Sequence, residues 1–315
     1  MKHEVRIPVL SVFRVVLCVA ALAACGGDDD SGDGGGGGGG TPGQDAGPRP
    51  DADVDRVLSF PADRVGWIYL VEGFAGFDGV SAALFDAPDV PEPALVAAEG
   101  DCEVWARPDA PALCDPPCQG GYCVADNQCV PLPQPVTAGT ITVDGLTGPL
   151  QFVESGPYYQ PDPAIPPEDL FADDATITAT APGGDLDGFS LEAGGVAPLE
   201  AQLDLEYDVT LVIEDEVDEV IRWTPESSGE IQLALLTGHH GSPYRSLLVC
   251  ETADDGELTI PGSLITQFPR DDSGHEQHFS WIARFTRDLA DTPAGPIELW
   301  IASRILIPQL EHRGP

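Results

Sequence analysis

Lysine is all but missing from this chain: the only one is Lys2, and every other cation is an arginine. Fourteen basic residues stand against 53 acidic ones, for a net charge of −39. A surface of that sign repels phosphate backbones and anionic lipid headgroups, so a nucleic-acid partner is excluded. No apolar run reaches the roughly 20 residues of a bilayer-spanning helix. No long stretch shows the 3.6-residue periodicity of an amphipathic helix, which leaves Ala94 to Ala98 as the best, brief, helical fragment. The chain also lacks a G-x-S-x-G nucleophile elbow, a phosphate-binding glycine loop and a C-x2-C metal pair. These absences argue against an enzyme and against a resident cofactor, and no catalytic or metal-ligating residue is assigned.

The N-terminus has the parts of an export signal. Lys2, Arg6 and Arg14 supply positive charge, Val15 to Ala21 are apolar, and small residues follow. Leu22-Ala23-Ala24-Cys25 resembles the lipobox of bacterial lipoproteins. That resemblance implies cleavage after residue 24 and acylation of Cys25, which anchors the chain to a lipid bilayer. Gly26 in place of Asp implies sorting to the outer membrane, with the periplasmic or surface face open. Loss of residues 1–24 removes three cations and one anion, leaving 11 basic against 52 acidic residues and no lysine.

Residues 25–55 read as a tether carrying Asp28-Asp29-Asp30 and the glycine run 34–40, without side chains to build a core. A coil of some thirty residues spans roughly 30 Å. Asp51, Asp53 and Asp55 alternate as in a calcium loop, but Arg56 and Ala62 stand where an EF-hand needs Gly and Glu. Residues 56–315 are enough for one or two cores.

Beyond Cys18 and Cys25, six cysteines remain: Cys102, Cys114, Cys118, Cys123, Cys129 and Cys250. An even number in an exported chain reads as three disulfides, and zinc is the competing reading for the tight group 114–129. The run Cys114-Asp-Pro-Pro-Cys118-Gln-Gly-Gly-Tyr-Cys123, continuing to Cys129, resembles the cysteine hairpin of EGF-like and follistatin-type modules. The resemblance implies interleaved pairs, Cys114–Cys123 with Cys118–Cys129, which would leave Cys102 for Cys250.

Short alternating segments fill the rest. Gly66–Val71, Val80–Phe85 and Cys102–Trp105 read as strands, as do Thr140–Val143, Thr176–Thr180, Leu203–Tyr207, Val209–Ile213 and Ile231–Leu236. Leu247–Cys250, Leu258–Ile260, Phe279–Phe285 and Ile297–Ile301 complete the series. Asp144-Gly145, Pro182-Gly183-Gly184 and Asp254-Asp255-Gly256 supply turns. The expected fold is all-β, an antiparallel sandwich of immunoglobulin-like or jelly-roll-like kind, with a small disulfide-rich hairpin inserted. The expected division is 1–24 signal peptide, 25–55 lipidated cysteine and tether, 56–113 N-terminal strands, 114–130 cysteine-rich hairpin, and 131–315 main sandwich.

The layout is similar to lipoprotein families of myxobacteria and related predatory delta-proteobacteria. The residues that carry this are 138–146, 181–184 running into Phe189-Ser190-Leu191, Ile221-Arg222-Trp223-Thr224-Pro225, and 248–261. Those motifs mark turns and core strands, and the resemblance implies no activity. His239-His240 reads as the top of a hairpin and His275-Glu276-Gln277-His278 as a loop, with weak transition-metal binding as the alternative for each. Glu214 to Glu219 holds five carboxylates in six residues and reads as a solvated hairpin tip, with calcium as the alternative. Trp67, Trp105, Trp223, Trp281 and Trp300 with Tyr158-Tyr159 read as core, the alternative being a sugar-stacking platform. The expected role is a non-catalytic envelope binding or surface-structural protein with a protein or glycan ligand. A secreted hydrolase and a calcium-dependent adhesin or carbohydrate-binding module are the alternatives.

Overall fold

The computed structural model describes residues 64–314 apart from 74–78, 91–92, 108–113, 156–157, 165–168, 207–208, 227–228, 239–243 and 271–279. Alternating apolar and polar residues give β1 (Gly66–Glu72), β2 (Val80–Leu84), β3 (Ala94–Glu99) and β4 (Cys102–Ala106). The hairpin β5 (Gly121–Ala125) and β6 (Gln128–Pro131) follows. Next come β7 (Ile141–Asp144), β8 (Leu150–Ser155), β9 (Tyr158–Asp162), β10 (Thr176–Ala181) and β11 (Phe189–Gly194). Four brief strands, β12 (Ala201–Gln202), β13 (Leu205–Glu206), β14 (Thr210–Glu214) and β15 (Glu219–Trp223), lead to the longest ones. The remaining elements are β16 (Glu230–Thr237), β17 (Ser246–Ala253), β18 (Glu257–Ile260), a one-turn helix α1 (Gly262–Ile265), β19 (Ser280–Thr292), β20 (Gly295–Ile307) and β21 (Gln309–Arg313), of which β19 and β20 are the longest.

The chain is all-β. One eight-stranded sheet, in the order β2-β1-β20-β19-β16-β17-β4-β3, forms the base. Two groups of strands cover one of its faces. A five-stranded sheet, β11-β10-β7-β8-β9, lies over the β1–β20 half, and two three-stranded sheets, β12-β15-β18 and β13-β14-β21, lie over the β16–β4 half. Pairing is antiparallel except for β1 with β20 and β14 with β21, which run parallel. The N-terminal strands therefore share a sheet with the C-terminal ones.

Two cores result. The first packs Ile68, Leu70, Leu299 and Ile301 against Ile141, Phe152, Ile177 and Leu191. The second packs Val104, Leu233, Leu248 and Ile282 against Ile213, Ile221, Trp223 and Leu310, with α1 and Phe268 closing the end. Each fully buried aliphatic side chain contributes about 1.5–3 kcal/mol, so these layers dominate stability.

Arg284 sits where the two cores meet, with 0% exposure. Its Nε donates to Asp254 Oδ2 at 2.7 Å, and its other nitrogens reach the carbonyls of Ala197, Pro198 and Thr224. Asp254 also accepts the indole N–H of Trp223 at 2.6 Å. The chain segment joining β11 to β12 is thereby fastened over the base sheet. A buried guanidinium is tolerated there because its donors are so fully engaged.

Turn chemistry is met where expected. Gly145 has φ +91°, and a Cβ there would stand 2.0 Å from the Thr176 carbonyl oxygen, so only glycine fits. Two expectations fail. Ala94 to Ala98 is strand, not helix: paired with β4, its propensity yields to the ladder and a bulge between Leu95 and Ala97. The Glu214–Glu219 run is not a hairpin tip, because β14 and β15 enter different sheets.

Candidate functional site

Directly opposed residues of an antiparallel pair share a face, so register sorts the side chains of the base sheet. One face holds the two cores. The other collects Trp67 and Tyr69 from β1, Glu298, Trp300 and Arg304 from β20, and Trp281, Phe285 and Arg287 from β19. Gln232 from β16, Glu251 from β17 and Glu103 and Trp105 from β4 complete it. Four of the five tryptophans thus lie on this outer face, and only Trp223 belongs to the covered side. The sequence reads all five as core, but period-two alternation in a strand buried on both sides does not say which face of the sheet each one occupies.

The aromatic rings form a chain. Trp67 lies 5.8 Å from Phe85 and 6.0 Å from Tyr69 between ring centroids; Tyr69 is 5.5 Å from Trp300, and Trp300 is 6.0 Å from Phe285. Arginines cap it: Arg64 lies over Tyr69 at 5.6 Å, Arg287 over Phe285 at 5.4 Å and Arg304 over Trp281 at 5.6 Å. Next to the rings runs a polar ladder. The indole N–H of Trp281 donates to Gln232 Oε1 at 3.2 Å, and Gln232 Nε2 donates to Glu251 Oε1 at 2.8 Å. Arg287 closes on both oxygens of Glu251, at 3.1 and 2.8 Å. Burial pushes the Glu251 carboxyl up, while Arg287 and the Gln232 amide pull it back down.

A pocket of about 1170 Å³ opens at the end of this ladder. It exists because β19 outruns β16: the two pair only as far as Glu230 opposite Phe285, and Thr286 to Leu289 continue past it, paired on their other edge with β20, as one wall. Its lining carries the carboxylates of Asp101, Glu230 and Glu251 together with the Arg287 guanidinium that pairs with Glu251. Asp288 is committed to the backbone N–H groups of Glu192 and Leu289.

The cysteines pair as Cys102–Cys250, Cys114–Cys123 and Cys118–Cys129. The sulfurs of residues 114–129 are thus consumed in S–S bonds, and the zinc alternative has no thiolates to use. Cys102 stands opposite Cys250 in the β4–β17 ladder, clamping positions 148 residues apart. The other two lock the β5–β6 hairpin, which pairs only with itself.

Within the acidic run, Asp215 bonds His312 Nε2 at 2.8 Å and pairs with Arg270, and Asp218 accepts the Gly262 N–H at 2.8 Å. Among the described residues no three carboxylates gather closely enough to hold one metal ion. Tyr159 is buried, its hydroxyl accepting the Ala138 N–H at 2.8 Å and donating to the Gly139 carbonyl, whereas Tyr158 is 59% exposed. Cys25, His239, His240, His275 and His278 lie outside the described residues. Comparison with protein-family models, curated proteins and solved structures gives no match to the chain.

Proposed function

We propose that this chain is an exported lipoprotein, anchored to the outer membrane through acylated Cys25, that acts by binding and not by catalysis. The observation that carries the reading is the state of the six remaining cysteines, all joined as disulfides. Such a set suits an oxidising compartment and is out of place in a reducing cytosol. The lipobox-like Leu22–Cys25 supplies the address and the anchor. The pocket at the end of the outer-face ladder is the place for a protein or glycan ligand, and its polar walls offer both donors and acceptors. Among the described residues no three carboxylates converge, which fits this role better than a calcium-held adhesin. Metabolic labelling with a radiolabelled or alkyne fatty acid, followed by membrane fractionation, tests the anchor. The wild-type chain takes up label and sediments with outer membrane, and Cys25→Ser loses both. Equal sedimentation of Cys25→Ser, without label in either protein, overturns the lipoprotein reading.

A further inference from the structure

The pocket opens along a stretch of β19 that is paired on one edge only. β19 runs for 13 residues and pairs with β20 along all of them, from Ser280 opposite Ile307 to Thr292 opposite Gly295. Its other edge meets β16 only from Trp281 to Phe285. Among the described residues no strand pairs with that edge from Thr286 to Thr292. Alternation along an antiparallel strand says which main-chain groups point there. Asp291 stands opposite Pro296, which has no N–H to give, so Asp291 and Leu289 turn their main-chain groups away from β20 and to the β16 side. Phe285 is in the same phase and agrees: its carbonyl oxygen lies 2.7 Å from where a Cβ on Gly229, the residue before β16, would stand. The Leu289 N–H bonds Oδ1 of the neighbouring Asp288 in place of a strand carbonyl.

We infer that the pocket takes an extended polypeptide segment of a partner, rich in basic side chains, which adds to β19 as a strand where β16 stops at Glu230. The inference rests on the pocket being the ligand site, and it names the ligand. In such an addition main-chain hydrogen bonds supply affinity, and alternate side chains supply the choice of partner. The space suits it. A strand beside β19 sits about 4.8 Å away, and the pocket follows one continuous stretch of β19, Thr286 to Leu289, facing the end of β17. Charge then selects the segment. Asp101, Glu230 and Asp255 stand exposed in the lining, whereas the Arg287 guanidinium is closed on both oxygens of Glu251. Lysine or arginine side chains of an added strand are drawn to that rim, and an acidic segment is repelled. The chain is acidic throughout, so charge by itself does not mark this place; the strand edge does.

Hydrogen exchange on the full mature chain in detergent micelles tests this, with acetyl-Val-Lys-Val-Lys-Val-Lys-Val-amide as the probe. At saturation the amides of residues 286–292 are expected to exchange about tenfold more slowly, and a fully N-methylated counterpart gives no such protection. Titration calorimetry reads the charge requirement. The same peptide with glutamate for lysine binds at least about tenfold more weakly, and Glu230→Lys weakens the lysine peptide by a similar factor with far-UV circular dichroism unchanged. No binding of the lysine peptide, or binding that leaves 286–292 unprotected, overturns the strand addition. Equal affinity for the lysine and glutamate peptides overturns the basic partner. Protection of the pocket residues by a neutral glycan and not by the peptide also overturns the inference, while the pocket stands as a ligand site.

Discussion

The two faces of the eight-stranded base sheet are built from the same strands and solve opposite problems. On the inner face, Ile68, Leu70, Ile297, Leu299 and Ile301 meet other aliphatic layers, and almost every contact is apolar. On the outer face, Trp67, Tyr69, Trp300 and Phe285 alternate with Arg64, Arg287, Glu251 and Glu298, so rings and charges are packed together. The inner face is held by area removed from water, and the outer face by two smaller apolar clusters together with pairwise satisfaction of polar groups. One observation limits this contrast: the most deeply buried charge, Arg284, points to the inner side, where the two cores meet.

Arg284→Ala is therefore the substitution with the largest expected effect. It leaves Asp254 buried with its guanidinium partner gone and frees the Ala197, Pro198 and Thr224 carbonyls. Breaking one side of a buried pair costs about 3–5 kcal/mol, which urea unfolding at neutral pH will register as a lower midpoint. A loss under 1 kcal/mol would mean that the seam between the cores is not fastened by this residue.

On the outer face the same operation is expected to cost less. Arg287 and Glu251 are each 15% exposed, so water partly compensates a lost partner, and Arg287→Met should cost about 1–2 kcal/mol. The sharper measurement is pH dependence. The folded-state pKa of Glu251 is raised by burial, so its contribution is fully present below the unfolded value and is lost as pH rises through the folded one. Removing Arg287 takes away the group that draws the carboxyl back, so the loss as pH rises above the ordinary carboxylate value becomes larger in the variant. Identical pH profiles for the two proteins would count against the ladder as an electrostatic unit.

Much of the inner face was legible in sequence, and little of the outer one was. Alternation in Thr176–Ala181 and Ile141–Asp144 places Ile177, Ala179, Ile141 and Val143 on one side because the opposite side is polar. In β16 and β20 that signal weakens, since residues on both faces are buried and stretches such as Leu233–Leu236 and Leu299–Ala302 are apolar on both sides. The pocket was invisible for a related reason. It depends on β19 extending past β16, and strand ends are set by tertiary partners more than by local residues. The acidic run at 214–219 misled because charge in sequence says nothing about which carboxylates find partners; Asp215 and Asp218 do.

The smallest expected effect concerns the three-stranded sheet that closes the inner face. β21 pairs in parallel with β14, and His312 on it stacks against Phe268 at 6.1 Å while its Nε2 meets Asp215. Its buried Nδ1 has no hydrogen-bond partner among the described residues. Burial, and then the nearby Arg270 charge, hold the His312 pKa below its ordinary value. A depressed folded-state pKa means stability that is present above the unfolded value of about 6.5 and is lost as pH falls below it. Protonation would place a second N–H where no acceptor waits, beside Arg270. His312→Asn should therefore unfold with a midpoint less sensitive to pH than wild type as pH falls below about 6.5, with the base sheet intact. If the two profiles stay parallel, the ring is a packing element beside Phe268 and its titration does not bear on how β21 is held.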